Sequence, residues 1–256
     1  MKTASELVDA ANRSMLDSYR KLVAHSAGGA SAEFGGVFAF SSGLPLSLFN
    51  GCVVVRRATA SDLRMGLAWI GERDVPYRAW IDDRRAPGLS DVAIADGLVR
   101  DEHPYPGMVL HPVPEPPSPA PGVVIEAVST AGLDEHLAVR VADGLGADLA
   151  ERLFSASFAA DPDVKFFTAW LDGRPVGASI AIRSGDVGGI YAVGTLEHAR
   201  HHGVGTAATW ACVAAGISWG CDTIALQASD MGLPIYEAMG FRTVVDYTVL
   251  RQPIRT

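Results

Sequence analysis

The chain has 256 residues, of which 48% are hydrophobic and 20% charged, and its formal net charge is −8. This length suits one large domain or two of ordinary size, with enough apolar residues for a packed core. The acidic balance argues against nucleic acid or an anionic membrane as a partner, because both are bound through clustered Lys and Arg. In addition, no apolar run approaches the roughly 18 residues that span a bilayer.

The cysteines and the first residues predict a cytoplasmic protein. Cys52, Cys212 and Cys221 are odd in number and fit neither a CxxC pair nor a disulfide framework. That usage is typical of a reducing compartment. Residues 1–7 lack the apolar core of a secretion signal.

The first half predicts a small α/β domain over residues 1–111. Its expected elements, in chain order, are a helix 4–25, strands 37–40 and 52–56, a helix 61–73, a strand 77–81, a helix 90–101 and a strand 107–111. No glycine loop precedes a helix here. This half is open to interpretation as a second copy of the other half's architecture, although no repeat of individual residues supports that reading.

A proline-rich segment follows. Six of the twelve residues from His111 to Gly122 are proline, a composition that suits neither a helix nor a central strand. We therefore predict an extended linker over 112–122 and a second domain over 123–256.

The second half has clearer patterns. Its expected elements are a strand 123–127, helical material 133–158 broken near Gly144 and Gly146, a strand 166–171, a hairpin turn at 172–173, strands 175–183 and 189–195, a glycine loop 200–205, a helix 206–219, a strand 223–228, a short helix 233–239 and a strand 243–250.

The segment Arg200–Gly205, with the sequence RHHGVG, is the most informative stretch. A strand, a glycine loop and a helix in this order place free backbone N–H groups at a helix N-terminus, where they favour an anion and most often a phosphate. The two glycines allow the backbone to approach such a ligand closely.

Two nucleotide-binding loops fit this segment incompletely. Gly203, Gly205 and Ala208 pass a relaxed dinucleotide-binding pattern, but Asp222 precedes the next strand instead of ending it. No Lys follows Gly205, as a P-loop requires.

The pattern R-x-x-G-x-G between a strand and a helix resembles the acyl-CoA-binding loop of the GNAT superfamily of N-acyltransferases. A second motif strengthens the resemblance, because Tyr236, Gly240 and Phe241 match the family's Y-x-x-x-G-F in spacing. Ser229 stands where Asn is usual, and Gly232 where Ala is usual. The resemblance covers about residues 123–252, and the whole chain also resembles two-part members with a faint first half.

This resemblance implies an α/β fold with a mixed, mostly antiparallel central sheet flanked by helices, and acetyl-CoA as co-substrate. It implies that the Val193 N–H binds the acyl oxygen. Backbone groups of Val193, Gly194 and Thr195 would hold the pantetheine arm. The pyrophosphate would be held by the backbone N–H groups of His201, His202, Gly203, Val204, Gly205 and Thr206.

The resemblance also implies that Tyr236 is the general acid that protonates the CoA thiolate, and the alternative is a core aromatic residue. Arg200 faces either the nucleotide phosphate or solvent. Ser229 either reaches the CoA arm or caps a helix. The general base stays open between Glu126, Glu197, His198 and an ordered water. We predict no metal, because the histidines at 198, 201 and 202 lack a Cys or carboxylate to complete a zinc site.

We expect an N-acetyltransferase that acts on a primary amine of a small molecule or peptide by direct attack in a ternary complex. The alternatives are an acyl-CoA-binding sensor without turnover and a dinucleotide-binding domain; a homodimer is left open. Acidic residues near the expected acceptor site would favour a cationic acceptor, or they form a solvated helix face. They are Asp134, Glu135, Asp143, Asp148, Glu151, Asp161 and Asp163.

Overall fold

The computed structural model describes residues 2–103, 105–129 and 132–253. The helices are α1 Ala4–His25, α2 Ala60–Gly71, α3 Leu89–Ala95, α4 Leu133–Ala142, α5 Ala147–Leu153, α6 Ala156–Ala159, α7 Val204–Ser218 and α8 Leu233–Ala238. The strands are β1 Ala30–Phe34, β2 Val37–Ser41, β3 Asn50–Val54, β4 Arg78–Ile81, β5 Val99–Arg100, β6 Tyr105–Leu110, β7 Val123–Ala127, β8 Val164–Leu171, β9 Arg174–Ser184, β10 Val187–Thr195, β11 Thr223–Gln227 and β12 Arg242–Arg251.

The described strands form one continuous sheet that runs through both halves of the chain. Its order is β1-β2-β3-β4-β12-β6-β11-β10-β9-β8-β7, and β5 pairs with β12 beside this path. Among these strands, only the pairs β3–β4 and β10–β11 are parallel. The predicted fold class, a mixed and mostly antiparallel sheet flanked by helices, is therefore confirmed.

Each half repeats the same local order around its parallel pair. The helix α2 connects β3 to β4, and α7 connects β10 to β11. The halves also exchange strands, since β12 of the second half lies between β4 and β6, and β6 of the first half lies between β12 and β11. The boundaries 1–111, 112–122 and 123–256 stay a prediction.

The long helix α1 packs across this shared sheet. It begins at a capping box, in which the Thr3 side chain and Glu6 satisfy each other's backbone amides. Its buried residues, among them Leu7, Met15 and Leu22, belong to one core cluster with side chains of strands from both halves. Burying each such side chain stabilises the fold by about 1.5–3 kcal/mol, so α1 holds the two halves of the sheet together.

On the opposite face, α7 lies close against β10 because both elements have glycines at their contact. A Cβ added at Gly188 of β10 would lie 3.1 Å from the Cα of Gly216 in α7, and 2.9 Å from the Ile224 side chain. This close approach fixes the distance between the sheet and the helix that follows the glycine loop.

A substitution at this contact tests its structural role. Gly188→Ala should lower the free energy of unfolding by about 1–3 kcal/mol, because the added methyl overpacks a buried contact with backbone. Gly71→Ala is the matched control, since no heavy atom lies within 4 Å of the added Cβ. Urea unfolding of both variants measures the difference, and equal stabilities would contradict the prediction.

Candidate functional site

The site begins where two parallel strands stop pairing. Residues Val187 to Ile190 of β10 pair with Thr223 to Leu226 of β11. Beyond that point β10 continues to Thr195 beside β9, while β11 ends at Gln227 and pairs with β6 along its other edge. The second half of β10 therefore has an edge without a β11 partner in the described structure.

A β-bulge turns the backbone at this edge. The register of β10 with β9 shifts between Tyr191 and Gly194, so Ala192 and Val193 have no register partner among the described residues. Ala192 has a φ of 51°, a left-handed conformation that costs a non-glycine residue about 1 kcal/mol or more. Val193, the predicted oxyanion donor, lies half-buried in this bulge.

A buried arginine, which the sequence analysis missed, holds the bulge from the α4 side. The Arg140 Nη1 donates to the Ala192 carbonyl at 2.6 Å, and its Nε donates to His136 Nε2 at 3.3 Å. Because arginine can only donate, His136 carries its proton on Nδ1, which donates to the Phe167 carbonyl at 3.2 Å. Burial, together with the Arg140 charge, lowers the pKa of His136 to about 3.

The glycine loop presents unused backbone donors. Gly203 is the N-cap of α7 with a φ of 78° and no side-chain cap, and no acidic residue lies in the first turn. The first hydrogen bond of the helix runs from Ala207 N to Gly203 O. The amides from His201 to Thr206 donate to no acceptor in the described chain, which makes this helix end a candidate anion site.

Arg200 connects this loop to the end of β10. Its Nε donates to the Thr195 carbonyl at 3.3 Å, and the ring Nδ1 of His202 lies 2.8 Å from the Arg200 carbonyl. Thr195 also approaches the helix, because a Cβ added at Gly205 would lie 3.3 Å from its Oγ1. These contacts bring Val193, Gly194 and Thr195 next to the start of α7.

Tyr236 lies on the short helix α8. Its ring meets Phe241 edge-to-face at a centroid distance of 5.9 Å, and both Tyr236 and Val193 pack against the cluster between the sheet and α7. Burial, and then Cys212 and Tyr105, raise the pKa of Tyr236 to about 12. The phenol is therefore protonated at neutral pH.

The two departures from the family pattern lie beside this tyrosine. A Cβ added at Gly232 would be 2.8 Å from Tyr236 Cε2, so glycine leaves room for the ring. Ser229 is exposed, and its Oγ accepts from the Gly232 amide at 3.2 Å. That contact is of the capping type.

The candidate bases are spread over the second half. Glu126 is in register with Thr168, Ala178 and Gly194 on successive strands, which puts it about 14 Å from Gly194 at ordinary strand spacing. Glu197 and His198 are exposed in a turn before the loop.

The acidic residues near the site differ in their surroundings. The exposed Asp143 reaches the bulge, because its Oδ2 lies 3.0 Å from where a Gly194 Cβ would be. Asp161 and Asp163 instead bind Lys21 of α1, at 2.8 and 3.3 Å.

A groove of about 560 Å³ lies between α7 and α8, beside the glycine loop, and its lining includes Pro117, Thr206, Trp210 and Pro234. The proline-rich segment thus runs along α7, and a Cβ added at Gly203 would lie 3.0 Å from Ala120 Cβ.

Within the described residues, no group of three His, Cys, Asp or Glu side chains is placed to hold a metal ion. No helix of the described ranges is long and apolar enough to cross a membrane.

Comparison with protein families gives one match. Residues 133–232 match the family model of the acetyltransferase (GNAT) domain. A search of curated proteins gave no match.

Solved structures with this fold span most of the chain. A GCN5-related N-acetyltransferase from Kribbella flavida is 19% identical with a TM-score of 0.70, over 94% of this chain and 95% of that chain. One from Sphaerobacter thermophilus is 19% identical with a TM-score of 0.63, over 86% and 78%. A tandem GNAT protein from the clavulanic acid biosynthesis pathway is 14% identical with a TM-score of 0.56, over 73% and 67%. At these identities the likeness concerns the fold.

The buried His136 gives a prediction about pH. Its pKa falls from 6.5 to about 3 on folding. Between these pH values the ring is protonated in the unfolded chain and neutral in the folded chain. The free energy of unfolding should therefore decrease as the pH drops from about 6.5 towards 3. His136→Asn should make this decrease shallower in urea unfolding, and NMR of the wild type should show the neutral Nδ1–H ring down to about pH 4. Protonation of this ring near pH 6.5 would refute the assignment.

Proposed function

We propose that this protein transfers an acetyl group from acetyl-CoA to a primary amine by direct attack in a ternary complex, in keeping with the match of residues 133–232 to the acetyltransferase (GNAT) family model. One observation carries this proposal. The unpartnered edge of β10 leads directly to the open amides at the start of α7, with Tyr236 packed against the same cluster as Val193.

This arrangement suits the extended shape of acetyl-CoA. The amides from His201 to Thr206 bind the pyrophosphate, where the positive end of the α7 dipole adds to their attraction. The pantetheine arm lies along Val193 to Thr195 like an added strand, on the side that β11 leaves open. The α7–α8 groove beside Thr206 takes part of the remaining cofactor.

The chemistry takes place at the bulge. The Val193 N–H binds the thioester oxygen, and such a preorganised donor is typically worth about 3 kcal/mol in the transition state. The neutral amine forms the new C–N bond, the carbonyl electron pair moves to oxygen, and the C–S bond then breaks. Tyr236 donates its proton to the departing CoA thiolate. The attacking nitrogen releases one proton to solvent as the amide forms, and Tyr236 regains one from solvent.

The acceptor approaches from the α4 side of β10. Asp143 places a carboxylate there, and a cationic amine would be attracted to it before it loses its proton. Asp161 and Asp163 contribute little to this attraction, because Lys21 already pairs with both.

The decisive experiment measures free CoA released from acetyl-CoA in the presence of a panel of primary amines, with the acetylated amine identified by mass spectrometry. Stoichiometric release with N-acetylated product supports the transferase. Acetyl-CoA binding without release across the panel would favour a sensor. Binding of a dinucleotide without any CoA binding would favour a nucleotide-binding domain.

The role of Tyr236 is tested by removing one oxygen. Tyr236→Phe should lower kcat about a hundredfold, the usual scale for losing a general acid, with little change in the KM for acetyl-CoA. Tyr77→Phe, at a half-buried tyrosine of the first half, is the control and should leave kcat unchanged. Unchanged turnover of Tyr236→Phe would exclude the tyrosine as the acid.

The glycine loop is tested by a matched pair of glycines at the two ends of α7. Gly203 and Gly220 have φ values of 78° and 77°, so the backbone strain of alanine should cost each variant about 1–2 kcal/mol in stability, and Gly203→Ala adds a contact of 3.0 Å with Ala120 Cβ. Only Gly203→Ala alters the proposed cradle, and it should weaken acetyl-CoA binding about tenfold or more in calorimetry. Equal affinities of the two variants would place the pyrophosphate elsewhere.

A further inference from the structure

The buried Arg140 forms no salt bridge among the described residues, and the nearby Asp143 carboxylate offsets only part of its charge. The residue is 6% exposed, and its guanidinium lies over the Phe154 ring at 4.7 Å. Two of its nitrogens donate to the neutral His136 and to the Ala192 carbonyl. Its Nη2 has no acceptor, and no carboxylate of the described residues forms a salt bridge with it.

Such a group is expensive to bury. An uncompensated charge in the interior costs several kcal/mol, and buried polar atoms are almost always satisfied. Burial lowers the pKa of Arg140 to about 10, so the guanidinium is still cationic at neutral pH. A folded protein that carries this cost is stabilised when negative charge appears nearby.

The hydrogen bond to the Ala192 carbonyl shows which peptide group the Arg140 cation acts on. The carbonyl of Ala192 and the N–H of Val193 belong to one peptide group, and in a trans peptide they point in opposite directions. A hydrogen bond from Arg140 to the carbonyl thus directs the Val193 N–H away from the guanidinium. A charged donor on the carbonyl also polarises the whole peptide, which strengthens its N–H as a donor.

The surroundings are shaped for this contact. Ala192 keeps a left-handed φ of 51° that a free strand would not adopt. A Cβ on Gly194 would lie 3.4 Å from Arg140 Nη1, so glycine lets the guanidinium approach the strand. A hydrogen bond of 2.6 Å then fixes the peptide in this orientation.

We propose that Arg140 is a positioning residue that orients and polarises the Ala192–Val193 peptide, so that the Val193 N–H stabilises the oxyanion of the acyl-transfer transition state. This inference rests on the proposed function. As the amine–carbon bond forms, the carbonyl electron pair becomes an oxyanion on the acetyl oxygen, and the charge returns to the leaving sulfur when the C–S bond breaks. Arg140 gives up no proton at any stage.

The test is the infrared carbonyl frequency of bound acetyl-CoA carrying ¹³C at the acetyl carbonyl. The wild type should shift this band to lower frequency than in water. Arg140→Gln should lose much of the shift and lower kcat about tenfold to a hundredfold, with the Kd for acetyl-CoA changed less than about threefold, since uniform binding is unaffected. Arg140→Lys, which keeps a cation, should restore part of both. Arg152→Gln, at a half-buried arginine of α5 that pairs with Asp148, is the control.

The outcomes separate this inference from the proposed function. If Arg140→Gln binds acetyl-CoA with the same carbonyl band and the same kcat as the wild type, the role of Arg140 is refuted while the transferase stands. If the wild type binds no acetyl-CoA, both are refuted. Should Arg140→Gln not fold, Arg140→Met gives the same readout, because a buried site accepts an apolar side chain of similar length.

Discussion

The parallel strands β10 and β11 pair over four residues and then separate, and the rest of the site depends on this separation. Within the described ranges, it leaves the edge from Tyr191 to Thr195 without a strand neighbour on one side. Gly188 and Gly216 hold α7 close to the paired part of β10, which sets the start of the helix beside the end of the unpaired part. Because the strand edge and the helix N-terminus lie side by side, one extended ligand can contact both.

The first half shows what the same architecture looks like without these features. There, β2 pairs with β3 from Val37 to Ser41 without a register shift, whereas the corresponding pair β9–β10 has a bulge. The helix α2 begins at Thr59, whose side chain accepts from the Asp62 amide while the Asp62 carboxylate accepts from the Thr59 amide. These bonds occupy backbone amides at the start of α2, whereas the corresponding amides of α7 have no acceptor in the described chain. The Asp62 carboxylate would also repel an anion. The two halves thus differ both in the strand bulge and in the capping of the helix that follows.

Local signals in the sequence predicted much of the fold. The helix at 4–25, the hairpin at 172–173 and the glycine loop before α7 follow from periodicity, turn residues and capping. The break near Gly144 and Gly146 is also present, but residues 133–158 form three helices, with Ser155 capping the last. Strand β1 was missed, because its burial alternates only between half-buried and exposed residues. The contact of Arg140 with Ala192 joins residues 52 positions apart. Neither arginine nor alanine is typical of a β-bulge, so the sequence does not predict this contact.

The exchange of β6 and β12 has a consequence for how the chain is made. On the ribosome, β6 emerges long before β11 and β12, the two strands that cover its edges. Until then its backbone N–H and C=O groups are exposed to pairing with other chains. Contacts between such distant segments also form slowly, because a long loop must close first. When β12 leaves the exit tunnel, it can join the strands of both halves into one sheet. The nascent chain that exposes β6 but not yet β11 and β12 is therefore the species that a chaperone would most usefully protect.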